Sequence, residues 1–275
     1  MLGKLIKYEF KSTSRVMWLL YAATISVGAL LGLTVFIQGK VSGASYAGAS
    51  IVSESEGSTA LTTLIIIMAI VYFMLIFATS IITFIIIILR FYRNLLQGEG
   101  YLMHTLPVKT SDLIWSKLIV AYIWQLLALA AAGLSMLIVG LTSGILPFMI
   151  RTGVLAEISQ EFMMVFGKGY IWYFVFILIS IAAGILMCYF SMAIGNLANV
   201  HKLLFSVVAY IGINIVVSVI NMVIMIPRMF NQVIIADELA PFSPVNITNV
   251  ILTVIMGVAF FIGTNYILKR KLNLA

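Results

Sequence analysis

Side chains able to do covalent or acid–base chemistry are scarce in this 275-residue chain, which holds 9 Asp and Glu residues, 2 His and 1 Cys. Two close carboxylate pairs stand out, Glu54 with Glu56 and Asp237 with Glu238. Paired carboxylates catalyse proton transfer when one of them is desolvated and held beside the other. Both pairs lie in polar connecting stretches and read as solvated loop residues. His104 and His201 stand alone at the expected inner face, and each reads as an interfacial residue rather than a base. The single Cys188 precludes an internal disulfide, and no Cys/His spacing suits a metal ion. A phosphate-binding loop of the form G-x-x-x-x-G-K-[ST], a zinc-protease H-E-x-x-H and a G-x-S-x-G elbow are all missing. The chain is therefore expected to be no enzyme, to hold no metal and to bind no nucleotide itself.

Milder polar groups occur at helical spacing inside apolar segments. Tyr210, Asn214, Ser218 and Asn221 are separated by four, four and three residues, which places them within an arc of about 80° on one helix face. Tyr72, Thr79 and Thr83 share a face in the same way. A polar stripe against lipid is unfavourable, so each should face protein or a wet cavity. A pathway lining and plain interhelical hydrogen bonding both satisfy that requirement. Gly28 and Gly32 form a G-x-x-x-G, and Ser191 with Gly195 a second pair of small residues, both suited to close helix approach.

The elements that carry these residues follow from composition. The chain is 63% hydrophobic and 9% charged, far from the roughly one-quarter charged composition of soluble domains. Six windows lack Asp, Glu, Lys and Arg, and the spans expected from them are residues 16–37, 61–89, 113–141, 169–195, 203–226 and 247–268. Each supplies the roughly 20 residues needed to cross about 30 Å of hydrocarbon as a helix. The fold expected is an all-α membrane protein of six transmembrane helices in a single domain. None of the six windows carries an ionisable residue of the kind that ion-coupled carriers commonly use. That disfavours a stand-alone secondary carrier or channel, which stays as the alternative.

The 16 basic residues orient the chain. With the N-terminus inside, 12 of them fall on the inner side, including Lys4, Lys7, Lys11, Arg15, Arg90, Lys117, Lys202 and Arg270. The positive-inside rule then puts both termini in the cytoplasm of a multi-pass plasma-membrane protein, here expected to be bacterial. The net charge of +7 is a topology signal and implies no nucleic acid. Residues 1–15 read as an amphipathic helix. Lys4, Lys7, Lys11 and Arg15 lie on one side, and Leu2, Ile6, Phe10, Thr13 and Met17 on the other. Such a helix is expected to lie in the inner interface with its lysines toward anionic headgroups.

The most informative loop joins spans two and three. Gly98 and Gly100 break the preceding helix, and Pro107 stops a short segment that carries Glu99, Tyr101, Leu102, Met103 and Leu106. Apolar side chains outside the bilayer point to a partner's groove or to the membrane interface. The stretch Gly98-Glu99-Gly100-Tyr101-Leu102-Met103-His104-Thr105-Leu106-Pro107-Val108 resembles the corresponding loop of permease subunits of ABC-type exporters of the type-2 family. Asp112-Leu-Ile-Trp-Ser-Lys-Leu118 and Ala240-Pro-Phe-Ser-Pro-Val-Asn246 resemble them too, as does the six-span topology. The likeness is specific over only about twenty-five residues and rests on topology elsewhere.

The resemblance implies a coupling helix at Glu99, Tyr101, Leu102, Met103 and Leu106 that docks on a separate ATP-binding-cassette ATPase, where ATP and Mg would be bound. It implies that residues 1–15 form a connecting helix, and that a second permease, identical or a sister chain, completes the assembly. The second and fifth spans would line the pathway, making Tyr72, Thr79, Thr83, Tyr210, Asn214, Ser218 and Asn221 pathway candidates. The implied function is export of an amphipathic substrate such as a peptide, an antibiotic or a lipid-like molecule.

Overall fold

Charge-free apolar runs longer than a bilayer is thick have one way to satisfy their backbone in lipid, and the chain adopts it. The structure, a computed structural model, describes residues 2–41, 56–96, 109–166, 170–198, 201–230 and 244–270. Its described elements are all helices: α1 Leu2–Val41, α2 Glu56–Leu96, α3 Thr110–Thr142, α4 Ile145–Thr152, α5 Val154–Phe166, α6 Tyr170–Gly195, α7 Lys202–Phe230 and α8 Pro244–Arg270. Six of them (α1, α2, α3, α6, α7 and α8) are long and apolar enough to cross a membrane. This is an all-helical, multi-pass membrane protein.

Two boundaries differ from the sequence expectation. The interfacial helix of residues 1–15 and the first span are one continuous helix of 40 residues, about 60 Å long at 1.5 Å per residue. Nothing in residues 11–17 interrupts it: Ser12, Thr13 and Ser14 are tolerated in a helix, and neither Gly nor Pro intervenes. Sequence periodicity assigns no element between the third and fourth spans, yet α4 and α5 form there. Gly144 and Gly153, both at φ 80°, bend the chain between helices without ending helical structure altogether.

The helices form two compact units. One comprises residues 11–85 and 123–161. In it α1 runs antiparallel to α2: Thr24 meets Thr79, Thr34 meets the Met68 sulfur, and Gln38 donates to Thr62. α1 runs parallel to α3, since Tyr21 meets Trp124 while Gly28 lies against Ser135 and Gly32 against Thr142. The Gly28 position leaves room for the Tyr72 ring, and a Cβ there would sit 3.1 Å from it. A Cβ on Gly32 would run into the Thr142 side chain. Close approach of backbones at small residues is the usual source of helix adhesion in lipid, where the hydrophobic effect no longer discriminates.

The other unit comprises residues 1–10, 86–122 and 162–275. Phe91 of α2 stacks on Tyr189 of α6 with ring centroids 3.8 Å apart and planes 8° from parallel. α6 and α8 run parallel: Gly257 lies against Ala183 and Leu186, and Gly263 against the Phe190 ring. α6 and α7 close as a tight hairpin in which Gly195 touches the Ser206 backbone. His201, at φ 55°, sits in the left-handed region just before α7 begins. Among the described side chains of α7 only that of Ser206 is buried, so this span presents the least covered surface.

Candidate functional site

Both stems of the loop between α2 and α3 are anchored in the protein interior. Leu95 and Leu96 close α2, Leu113 and Ile114 lie in the first turns of α3, and all four are buried. Asp112 in the first turn of α3 suits the positive end of that helix. Between the stems, residues 97–108 carry Glu99, Tyr101, Leu102, Met103 and Leu106, which lie outside the described residues, as does His104.

A cluster of charged side chains ties these stems to the N-terminal helix. Glu9 of α1 reaches Arg90 of α2 at 3.5 Å, accepts a hydrogen bond from Asn94 Nδ2 at 3.2 Å, and pairs with the Lys117 ammonium of α3. Arg90 and Asn94 are four residues apart, so one face of α2 presents both to the same carboxylate. The side chains of Lys117 and Glu9 are 5% and 13% exposed, whereas that of Arg90 is 31% exposed. The Lys117 carbonyl also accepts a hydrogen bond from the Tyr189 hydroxyl, bringing α6 into the cluster. One carboxylate thus faces two cations and an amide from the two helices that flank the loop.

Sequence reasoning places Glu9, Arg90 and Lys117 on the inner side but does not join them. A signal for the junction is present in the sequence. Glu9 is the sole acid in residues 1–15, and at about 100° per residue it falls beside Thr13 and Leu2, away from the lysine face. Lys4, Lys7, Lys11 and Arg15 are exposed, while Thr13 and Met17 are buried.

The two polar stripes have different surroundings. Tyr72, Thr79 and Thr83 are buried. The Tyr72 hydroxyl bonds Ser135 at 2.9 Å, the Thr79 hydroxyl bonds Thr24 at 2.7 Å, and Ser135 donates to the Thr24 carbonyl at 3.2 Å. The α2 stripe is an interhelical seam in this structure, formed with α1 and α3. Tyr72→Phe should therefore lower the apparent melting temperature modestly, in keeping with the average of about 0.6 kcal/mol for interhelical hydrogen bonds in membranes. An unchanged melting curve would mean that the hydroxyl is not committed to Ser135.

On α7, Tyr210 and Asn214 are half-buried, and Ser218 and Asn221 are exposed. Asn214 and Asn221 each donate an amide hydrogen to the carbonyl four residues earlier, at 2.9 Å in both cases. Those bonds satisfy part of each amide within the helix and leave the stripe on an uncovered surface.

No protein-family model, curated protein or solved structure matches the chain. Among the described residues no group of three His, Cys, Asp or Glu side chains could hold a metal ion. The described residues bring together the buried helix ends of α2 and α3 beside Glu9, and set a polar line on the exposed surface of α7.

Proposed function

We propose that this chain is the membrane-spanning subunit of an ATP-binding-cassette exporter of the type-2 permease kind. The observation that carries the reading is the anchoring of both stems of the 97–108 loop, by four buried leucine and isoleucine side chains and by the Glu9 cluster. A loop that receives force from a separate ATPase needs stiff stems. A soft joint would absorb the ATPase's movement before it biased the spans between their two conformations. Glu99, Tyr101, Leu102, Met103 and Leu106 supply the docking surface of that loop, and ATP with its magnesium sits on the partner.

The exposed polar line of α7 supports the second part of the reading. Asn221 and Ser218 facing hydrocarbon would cost free energy that a wet pathway or a facing subunit removes. A second permease, identical or a sister chain, faces α7 in the assembly, and the mostly apolar path between them takes an amphipathic peptide, antibiotic or lipid-like molecule. The chain lies in the plasma membrane with both termini on the ATPase side.

The test is isolation from native membranes in mild detergent, with and without crosslinking, and mass analysis of what accompanies the chain. A stoichiometric subunit with a phosphate-binding loop is the expected result. A chain that emerges alone after crosslinking, with activity that follows an ion gradient, would overturn the reading in favour of a stand-alone carrier. Given the partner, Leu102→Asp combined with Leu106→Asp should abolish stimulation of the ATPase while membrane insertion stays normal. Asn214→Leu combined with Asn221→Leu should change which substrates stimulate it. A stimulation profile identical to that of the unaltered chain would remove α7 from the pathway.

A further inference from the structure

The C-terminal end of α6 buries an amide that has nothing to bond. Asn196 is 1% exposed, and among the described residues neither its Oδ1 nor its Nδ2 has a hydrogen-bond partner. Packing closes both atoms off from water as well. An amide so placed costs the packed arrangement the full desolvation of its polar atoms. The usual local remedy is a bond to the carbonyl four residues earlier, which Asn214 and Asn221 both make. In Asn196 only the backbone N–H uses that carbonyl, and the side chain is left out.

The register of α6 shows what confines it. Tyr189, Met192, Ala193 and Asn196 line one face of the helix, and all four are buried. Tyr189 stacks on Phe91 of α2 and donates to the Lys117 carbonyl of α3. Asn196 lies about 10.5 Å farther along the same face. One turn beyond Phe91 is the fully buried Leu95, and α2 ends at Leu96. α3 begins at Thr110, as far before Lys117 as Asn196 is beyond Tyr189. The amide is thus held at the level where α2 ends and α3 begins.

The corner into α7 carries a second unfavourable feature. His201 sits at φ 55°, in the left-handed region that is costly for a residue with a Cβ. Gly195 presses on the Ser206 backbone, which couples α6 and α7 at this corner. Leu197, next to the amide, is 42% exposed, so a small displacement brings Asn196 to water.

We propose that the α6–α7 corner is a gate with two arrangements. One is packed, as here; in the other the corner is displaced from α2 and α3 and the Asn196 amide is hydrated. The amide raises the free energy of the packed arrangement alone, so it shifts the population toward opening. The Phe91–Tyr189 stack and the buried Leu95 oppose it. The gate concerns packing within this chain and does not depend on an ATPase partner.

The full chain, purified in mild detergent with Cys188→Ala as background, carries a reporter thiol introduced by Leu95→Cys. Its reaction with a water-soluble maleimide, well below the melting temperature, reads how often the end of α6 leaves α2. The reporter should react. Adding Asn196→Leu, which has the same number of heavy atoms, should slow it by about fivefold or more and raise the melting temperature. A second reporter, Ile185→Cys, lies three turns earlier on the same α6 face and should not respond to Asn196→Leu. A thiol at position 95 that stays unreactive with Asn196 in place would overturn the gate. Equal rates with Asn and Leu at position 196 would do the same, since the amide would then have no influence on opening. Slowing at both reporters would reduce the effect to global stability, and a melting temperature lowered by Leu would mean that the packed amide is bonded. Either result would sink the proposal.

Discussion

Glu9→Leu should lower the apparent melting temperature of the purified chain more than removal of any exposed charge on the same helix, such as Lys4 or Lys7. The carboxylate it removes is paired with the Lys117 ammonium, whose side chain is 5% exposed. Removing one partner of a buried ion pair typically costs about 3–5 kcal/mol. The contribution through Arg90 is smaller, since that side chain is 31% exposed and water screens it. Lys117→Met placed on top of Glu9→Leu should recover part of the loss, because the buried ammonium that lost this carboxylate is then gone too.

The chain offers a convenient readout of this effect. Cys188 is its single cysteine and is buried, so a thiol-reactive fluorophore that labels on unfolding reports the transition directly. If Glu9→Leu melts with the unaltered chain, the cluster is solvated and cannot stiffen the loop stems. If the double variant is no better than Glu9→Leu alone, the loss arises from packing rather than charge.

Gly195→Ala should be the most destabilising single-methyl addition among the described helix glycines. A Cβ there would lie 2.5 Å from the Ser206 Cα and still closer to the Ser206 nitrogen, both backbone atoms that no rotamer change can move. The α6–α7 hairpin would have to open, and overpacking of that kind costs about 1–3 kcal/mol. Gly133→Ala and Gly212→Ala are the contrast, since a Cβ at either position meets nothing within 4 Å. Both glycines are inside helices, where alanine is favoured by about 1 kcal/mol. The expected result is therefore a fall in melting temperature at position 195 and a small rise at 133 and 212. Equal shifts at all three would show that the hairpin is looser than its geometry.

The sequence by itself determined the class of molecule. Six apolar runs without charge leave a chain in lipid no alternative to six helices, because each backbone group must find its partner within its own segment. Local periodicity also determined which residues share a face, and the exposed Lys4, Lys7, Lys11 and Arg15 against the buried Thr13 and Met17 follow that reading. What a face meets is not local. Tyr72 and Thr79 bond α3 and α1 across 63 and 55 residues, whereas Asn221, on an equally regular stripe, is left uncovered.

Helix continuity was likewise decided above the level of motifs. A basic amphipathic stretch followed by an apolar one reads as two elements, yet α1 is unbroken, and α4 and α5 form where periodicity assigns no element. The Glu9 cluster shows the limit most directly. Its charges lie 81 and 108 residues apart in the chain, and only the packing of three helices at one level brings them to a single carboxylate. Pairing over such distances depends on register between helices, which no local pattern encodes and which tertiary structure alone supplies.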